Sequence, residues 1–197
     1  MSTFTVWILA FLIVIAFQRF WIEGGEHVQA SRGTVKAAWT GYLMIAFHVL
    51  IYTLTTLELL LRSHLKTSNF SLISSVGLSM FAIGFFLRRW AISTLGYYWS
   101  LQIEIRPNQP LIRKGPYRFV RHPNYLALFL EVLGLPLVAN AYLTFISSLL
   151  FYCPLIFTRL VYEERVLLKT FPQTYRQYQR ECGVLLPTQL FFKRTNI

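Results

Sequence analysis

An all-α integral membrane protein is the fold class this sequence predicts, and three observations predict it. Of its 197 residues, 55 % are hydrophobic and 14 % charged, a composition outside the range of soluble domains. The apolar residues come in unbroken runs rather than at amphipathic spacing, as bilayer spans require. The basic residues sit at the ends of those runs, where they read as topology signals. The net charge of +11 therefore points to membrane orientation and anionic headgroups, with no nucleic-acid partner.

The runs divide one domain, 1–197, into about five transmembrane helices: 4–21, 39–61, 72–92, 125–138 and 142–160. The first lacks a basic leader and a small-residue cleavage site, so it is read as a retained span. The second carries His48 and Glu58; His48 is taken as a bonded structural partner ahead of a ligand contact, and Glu58 as near enough to the border to be solvated. In the third, Gly77, Ser79 and Gly84 are small enough to let helices approach closely. The last two runs flank Ala139-Asn140-Ala141 with no charge between them, as in a helical hairpin. Glu131 lies in mid-helix there, with the border arginines as its expected partners. Of the 19 Lys and Arg residues, all but Arg62 and Lys66 fall on one side of this five-span arrangement. That places the C-terminus and the two longest polar stretches, 93–125 and 159–187, on the cytoplasmic face. Two distant stretches can then build one site.

The first stretch is polar but too long for a simple turn. Pro107 and Pro110 exclude helix, and Gln102-Ile103-Glu104-Ile105 alternates like a short strand. It ends in Arg-Lys-Gly-Pro-Tyr-Arg-Phe-Val-Arg-His-Pro-Asn-Tyr, residues 113–125. Gly115-Pro116 is turn chemistry, and His122-Pro123 interrupts helix before the next span. Basic residues there are called for by topology alone. His122, Asn124, Tyr117 and Tyr125 among them are not, and together they offer donors, acceptors and aromatic faces to an anionic, ring-bearing ligand.

The second stretch mixes charge with aromatics, as an amphipathic helix lying on the membrane surface would. Arg159 stands at the lip of the fifth span, and Glu163 follows one helical turn later. The plain reading is a surface ion pair. At the lip, however, the planar guanidinium suits an oxyanion of an amphiphile whose tail lies in the bilayer, and Glu163 can accept from hydroxyl or ammonium groups of a second ligand. Four scattered histidines, two unpatterned cysteines and no aspartate offer no metal site. No glycine-rich phosphate loop or nucleophile motif occurs, so any chemistry relies on a diffusible group donor.

Arg88-Arg-Trp-Ala-Ile-Ser-Thr-Leu-Gly96, the segment Leu111 to Tyr125, Glu163-Glu164 with Leu167, and Phe171-x-x-x-Tyr175-x-x-Tyr178 together resemble the isoprenylcysteine carboxyl methyltransferase family. Gln18-Arg19 and Glu131-Val-Leu-Gly-Leu-Pro-Leu137 look most like its short bacterial members, some of which O-methylate long-chain alkylpyrones or alkylresorcinols. The resemblance covers about Arg88 to Pro187 and implies a membrane-embedded enzyme that uses S-adenosylmethionine without a Rossmann domain. It implies a donor pocket of Gln102, Gln109, Pro110, Leu111, Ile112, Tyr117, His122, Pro123, Asn124, Tyr125 and Glu163. It implies that Arg159 faces the acceptor, a prenylated or other lipophilic small molecule. An ionised carboxylate or acidic enol would need no general base, only alignment and exclusion of water; a phenol would need a base or a nearby cation. The Arg-His-Pro-Asn-Tyr turn is shared with NADPH-dependent sterol-type reductases, whose chains end in a different, tryptophan-containing tail. A non-enzymatic membrane scaffold is the third alternative.

Overall fold

The computed structural model describes residues 3–27, 33–64 and 70–187. Residues 1–2, the parts of the expected polar links that fall at 28–32 and 65–69, and the chain beyond 187 lie outside the described residues. Helix α1 (Thr3–His27) continues through Glu23-Gly24-Gly25-Glu26, which the sequence reading assigned to a polar link. Helix α2 (Ala38–His64) and α3 (Leu72–Leu95) follow, then α4 (Pro123–Val138). The final run is α5 (Tyr142–Ser147), a π-helical stretch Ser148–Tyr152, and α6 (Cys153–Thr170), continuous as Tyr142–Thr170. Helix α7 (Pro172–Glu181) closes the fold. The stretch 161–170, expected as part of a surface helix, instead extends the last long helix, and the chain turns only at Pro172, whose ring cannot donate to the helix. Ala38–His64, Leu72–Tyr98 and Tyr142–Thr170 are each long and apolar enough to cross a membrane, while Thr3–Gln18 and Pro123–Val138 are shorter apolar helices. Trp7, Phe17, Phe86, Leu150 and Phe151 face outward from these helices, as lipid-facing side chains do. The protein is an integral membrane protein.

Close backbone contact joins α3 to α4. A Cβ on Gly77 would lie 2.6 Å from the Val138 nitrogen, and one on Gly134 2.7 Å from the Gly77 carbonyl oxygen, so the two backbones touch where only glycine fits. Gly84 does the same against Ala127. Ser79 does not take part: it is exposed, and its hydroxyl bonds Ser75 O of its own helix. Ile8, Leu12, Leu59, Phe81, Leu135 and Val138 form one apolar cluster among α1–α4. Met44, Ile51, Tyr125, Leu128, Val132, Tyr152 and Ile156 form a second, among α2, α4 and the last helix.

Two polar knots fasten the end of the bundle where α4 turns into α5. Ser71 caps α3 in a reciprocal pair with Ser74, and both hydroxyls donate to Asn140 Oδ1. Asn140 sits at φ 55°, a conformation asparagine tolerates better than most residues. Glu58 is the second knot, and here the expectation of a solvated side chain is corrected. It is buried and accepts from Leu143 N at 3.1 Å, Thr144 N at 2.9 Å and Thr144 Oγ1 at 2.9 Å. A helix N-terminus offers unpaired N–H groups, and this carboxylate consumes two of them.

At the opposite end the expected strand forms as β2 (Glu104–Ile105). It pairs antiparallel with β1 (Thr34–Val35) from the first link, Val35 opposite Glu104. Lys36 N extends the pairing to Ile103 O at 2.8 Å. The partner strand was not legible, because two residues carry no periodicity. Gly115 has φ 58° and opens the 3-10 turn Gly115–Arg118 that the Gly-Pro pair predicts. Pro123 takes the first position of α4, where its missing N–H costs nothing.

Candidate active site

A cleft enclosing about 1230 Å³, counting its open mouth, lies where the segment 95–125 meets α2, α4, α6 and α7. Its walls have two chemistries. Gln102, Gln109, Tyr117, His122, Asn124 and Glu163 supply polar atoms, while Met44, Ile45 and Leu128 supply apolar surface from α2 and α4. Pro110, Leu111, Ile112, Tyr125 and Arg159 also line it. Every residue that the resemblance assigns to the donor or the acceptor is therefore on the wall except Pro123, which is buried at the start of α4 and sets the direction of its neighbours.

Arg159 and Glu163 meet through a third residue. The Tyr125 hydroxyl donates to Glu163 Oε2 and accepts from Arg159 Nε at 3.0 Å. The guanidinium also donates to Thr40 Oγ1 at 3.0 Å and to the Leu101 carbonyl. It is thus a buried cation, not a surface one, held by the start of α2, the cleft segment and α4 at once. With three of its five N–H groups so engaged, its plane is fixed while donors remain for a ligand.

Behind the His122 turn sits Glu164, a residue the sequence reading quoted in a motif but gave no role. Arg121 grips it with Nε at 2.8 Å and Nη2 at 3.3 Å, a two-pronged pair. His122 Nε2 lies 3.0 Å from Oε1, Tyr175 donates to the same oxygen at 2.7 Å, and Gln179 Nε2 donates to Oε2 at 2.9 Å. The supposition that nothing structural calls for a histidine at 122 is thereby corrected: the ring ties the cleft wall to α6 and α7. Burial first, and the Glu164 carboxylate second, push the Tyr175 phenol far above its usual range, so it remains a donor. Burial does the same to Tyr117 and Tyr178, and Tyr178 donates to the Tyr117 carbonyl.

Backbone pairing completes the assembly. Arg121 N donates to Gly183 O at 2.9 Å and His122 N to Val184 O at 3.1 Å, so the turn is stitched to the chain just after α7. Gln109 is partly committed to its own loop, its Oε1 accepting from Arg106 N at 2.9 Å. His48 combines the two roles weighed for it. Its Nδ1 lies 2.7 Å from the Met44 carbonyl and its Nε2 3.0 Å from the Tyr152 hydroxyl, and its edge lines the cleft. Since a carbonyl only accepts, Nδ1 carries the proton and Nε2 receives the Tyr152 hydrogen. The residues missed from the sequence, Thr40, Leu101, Glu164 and the deeper wall, contribute a hydroxyl, a carbonyl, a carboxylate and plain apolar side chains. Only the Tyr175 and Tyr178 spacing carried a readable signal.

The chain is similar to known proteins in sequence and fold. Residues 76–169 match the model of the isoprenylcysteine carboxyl methyltransferase family. An uncharacterized protein of Bacillus subtilis is 29% identical over 82% of this chain and 95% of its own. A probable protein-S-isoprenylcysteine O-methyltransferase of Oryza sativa subsp. indica is 27% identical over 92% of this chain and 95% of its own. Among solved structures, the eukaryotic intramembrane Ras methyltransferase isoprenylcysteine carboxyl methyltransferase superposes with a TM-score of 0.59 at 26% identity, over 72% of this chain. This chain spans about half the length of that one, 52%. The matched segment runs from α3 through α6 and holds Arg121, His122, Tyr125, Arg159, Glu163 and Glu164, the residues knotted around the cleft. Over residues 76–169 the chain matches the isoprenylcysteine carboxyl methyltransferase family, and it is a membrane methyltransferase of similar fold.

Proposed function

We propose that the cleft binds S-adenosylmethionine and that the protein methylates a carboxylate or acidic hydroxyl of a lipophilic acceptor, either isoprenylcysteine-like or a long-chain alkylpyrone or phenol. The observation that carries this reading is the junction of Arg159, Tyr125 and Glu163 between the polar and the apolar walls. The donor's chemistry fits the polar wall. Asn124 Oδ1 is shielded from solvent and takes no hydrogen bond from the described residues, an acceptor awaiting a hydroxyl or ammonium. Gln102, Tyr117 and Glu163 add further polar groups, and Pro110, Leu111 and Ile112 line the cleft with apolar surface for a base. When bound, the donor supplies a sulfonium methyl for in-line displacement.

The chain's own residues do the rest. Arg159 holds the acceptor's oxyanion beside the bilayer, its fork fixed by Tyr125, Thr40 and Leu101. Burial of the cation in a water-poor site strengthens its pull on a developing or resident negative charge. Glu163, fixed by Tyr125, faces the donor's cationic region. The relative from Oryza sativa is named for isoprenylcysteine O-methylation, which supports a thioether-linked lipid carboxylate as one acceptor class. The active face is cytoplasmic in this reading, as the distribution of basic residues requires. The test is titration calorimetry of the purified protein with S-adenosylhomocysteine and with NADPH, followed by mass spectrometry of lipid extracts incubated with labelled donor. Binding of the homocysteine and a labelled lipid are expected. Binding of NADPH alone would replace this reading with a reductase.

A further inference from the structure

Glu104 is a buried carboxylate of the cleft to which no step above gives a task. It projects from β2, whose register is pinned by β1. Its side chain is 3% exposed, yet it lines the cleft beside Ser100 and Gln102. Its polar partner among the described residues is Arg106, whose Nε lies 3.4 Å from Oε1. That contact is long because Arg106 commits itself elsewhere: it donates to the Tyr97 carbonyl and lies over the Tyr97 ring, 4.7 Å from its centre. Among the described residues Oε2 takes no hydrogen bond. A carboxylate can accept about four, and a buried one with a single long bond has spare capacity that buried polar groups rarely leave unused.

The surroundings select what would use it. Arg106 already balances the charge of Glu104, so a second cation is not demanded, and Ser100 and Gln102, which line the cleft from the same segment, are neutral. A wall carboxylate with Oε2 unengaged and lone pairs to spare on Oε1 can accept from two adjacent hydroxyls, the way in which an acidic side chain reads a ribose in other nucleotide sites. We propose that Glu104 accepts hydrogen bonds from the ribose diol of the nucleoside donor, and so makes the site selective for a ribonucleoside. The assignment rests on the S-adenosylmethionine reading above. It adds a binding residue whose place is set by a two-stranded sheet rather than by the helices.

Calorimetry on the purified, membrane-extracted protein tests it with three probes: S-adenosylhomocysteine, 5′-methylthioadenosine, which lacks the amino-acid arm, and 5′-methylthio-2′-deoxyadenosine. The wild-type protein is expected to bind the ribonucleoside at least about tenfold more tightly than its deoxy counterpart, the worth of a hydrogen bond to a charged group. Glu104→Gln is expected to lose that preference and to weaken S-adenosylhomocysteine and methylthioadenosine by the same factor. A merely structural role for Glu104 would weaken ribo and deoxy probes alike and leave the preference intact, which overturns the proposal. Weakening of S-adenosylhomocysteine alone overturns it too, because the contact would then be to the amino-acid arm. Equal wild-type affinity for ribo and deoxy probes overturns it without recourse to the variant. If the wild type binds none of the three, the donor reading fails and this assignment with it.

Discussion

Tyr125 is the residue on which two charges of the site depend, since its hydroxyl takes the Arg159 Nε hydrogen and gives its own to Glu163. Tyr125→Phe keeps the ring and removes both bonds, so methyl transfer is expected to fall by roughly 10- to 150-fold, the equivalent of about 1.5–3 kcal/mol. Donor titration and acceptor kinetics on the same preparation would check this. Arg159→Lys keeps the charge and loses the planar fork, and is expected to damage acceptor kinetics while leaving donor affinity near the wild-type value. Glu163→Gln is expected to do the reverse; equal loss of donor affinity in both would withdraw Arg159 from the acceptor. Glu164→Ala leaves Arg121 buried without its carboxylate, and is expected to cost about 3–5 kcal/mol of stability, read as a lowered midpoint of thermal unfolding in detergent. The sequence made Arg159, Glu163 and the His122 turn visible because a lip arginine and a histidine among cations stand out against apolar chain. It hid Glu164 behind its neighbour Glu163, since adjacent residues on a helix point in different directions and only packing tells which does what.

At the scale of elements, the helices were legible from runs of apolar residues, and their ends were not. Helix α1 runs on through two glycines, and the last helix carries ten residues beyond its expected end before Pro172 stops it. In both cases the hydrophobic signal ends before the hydrogen-bond ladder does, because a helix leaving a membrane needs no apolar face. The pairing of β1 with β2 was half visible: alternation marked 102–105, but a two-residue partner has no pattern to read. The closest helix contact gives a sharp expectation. Gly77→Ala places a methyl 2.6 Å from the Val138 nitrogen, so α3 and α4 must separate. A loss of about 1–3 kcal/mol is expected, measured as a reduced yield of folded protein and a lower unfolding midpoint. Ser79→Ala, on the same helix but facing outward, is expected to change neither.

For the molecule as a whole, orientation is the property most open to a direct check. Reporter fusions at Lys114 and Asn140 are expected to report opposite sides of the membrane, cytoplasmic at the first and external at the second; the same side for both would refute the five-span path. The stitching of the His122 turn to Gly183 and Val184 bears on how such a protein is made. Membrane helices enter the bilayer in the order in which the ribosome delivers them, and folding proceeds behind synthesis. The turn that frames the cleft is complete in sequence by Tyr125, yet its backbone acceptors do not exist until some sixty residues later. A chain released after Glu181 is therefore expected to insert and accumulate normally in membranes, yet to bind no S-adenosylhomocysteine. On the proposed reading, a nascent chain with every apolar helix in place would still have no working pocket, and no half-made enzyme would consume the cell's methyl donor.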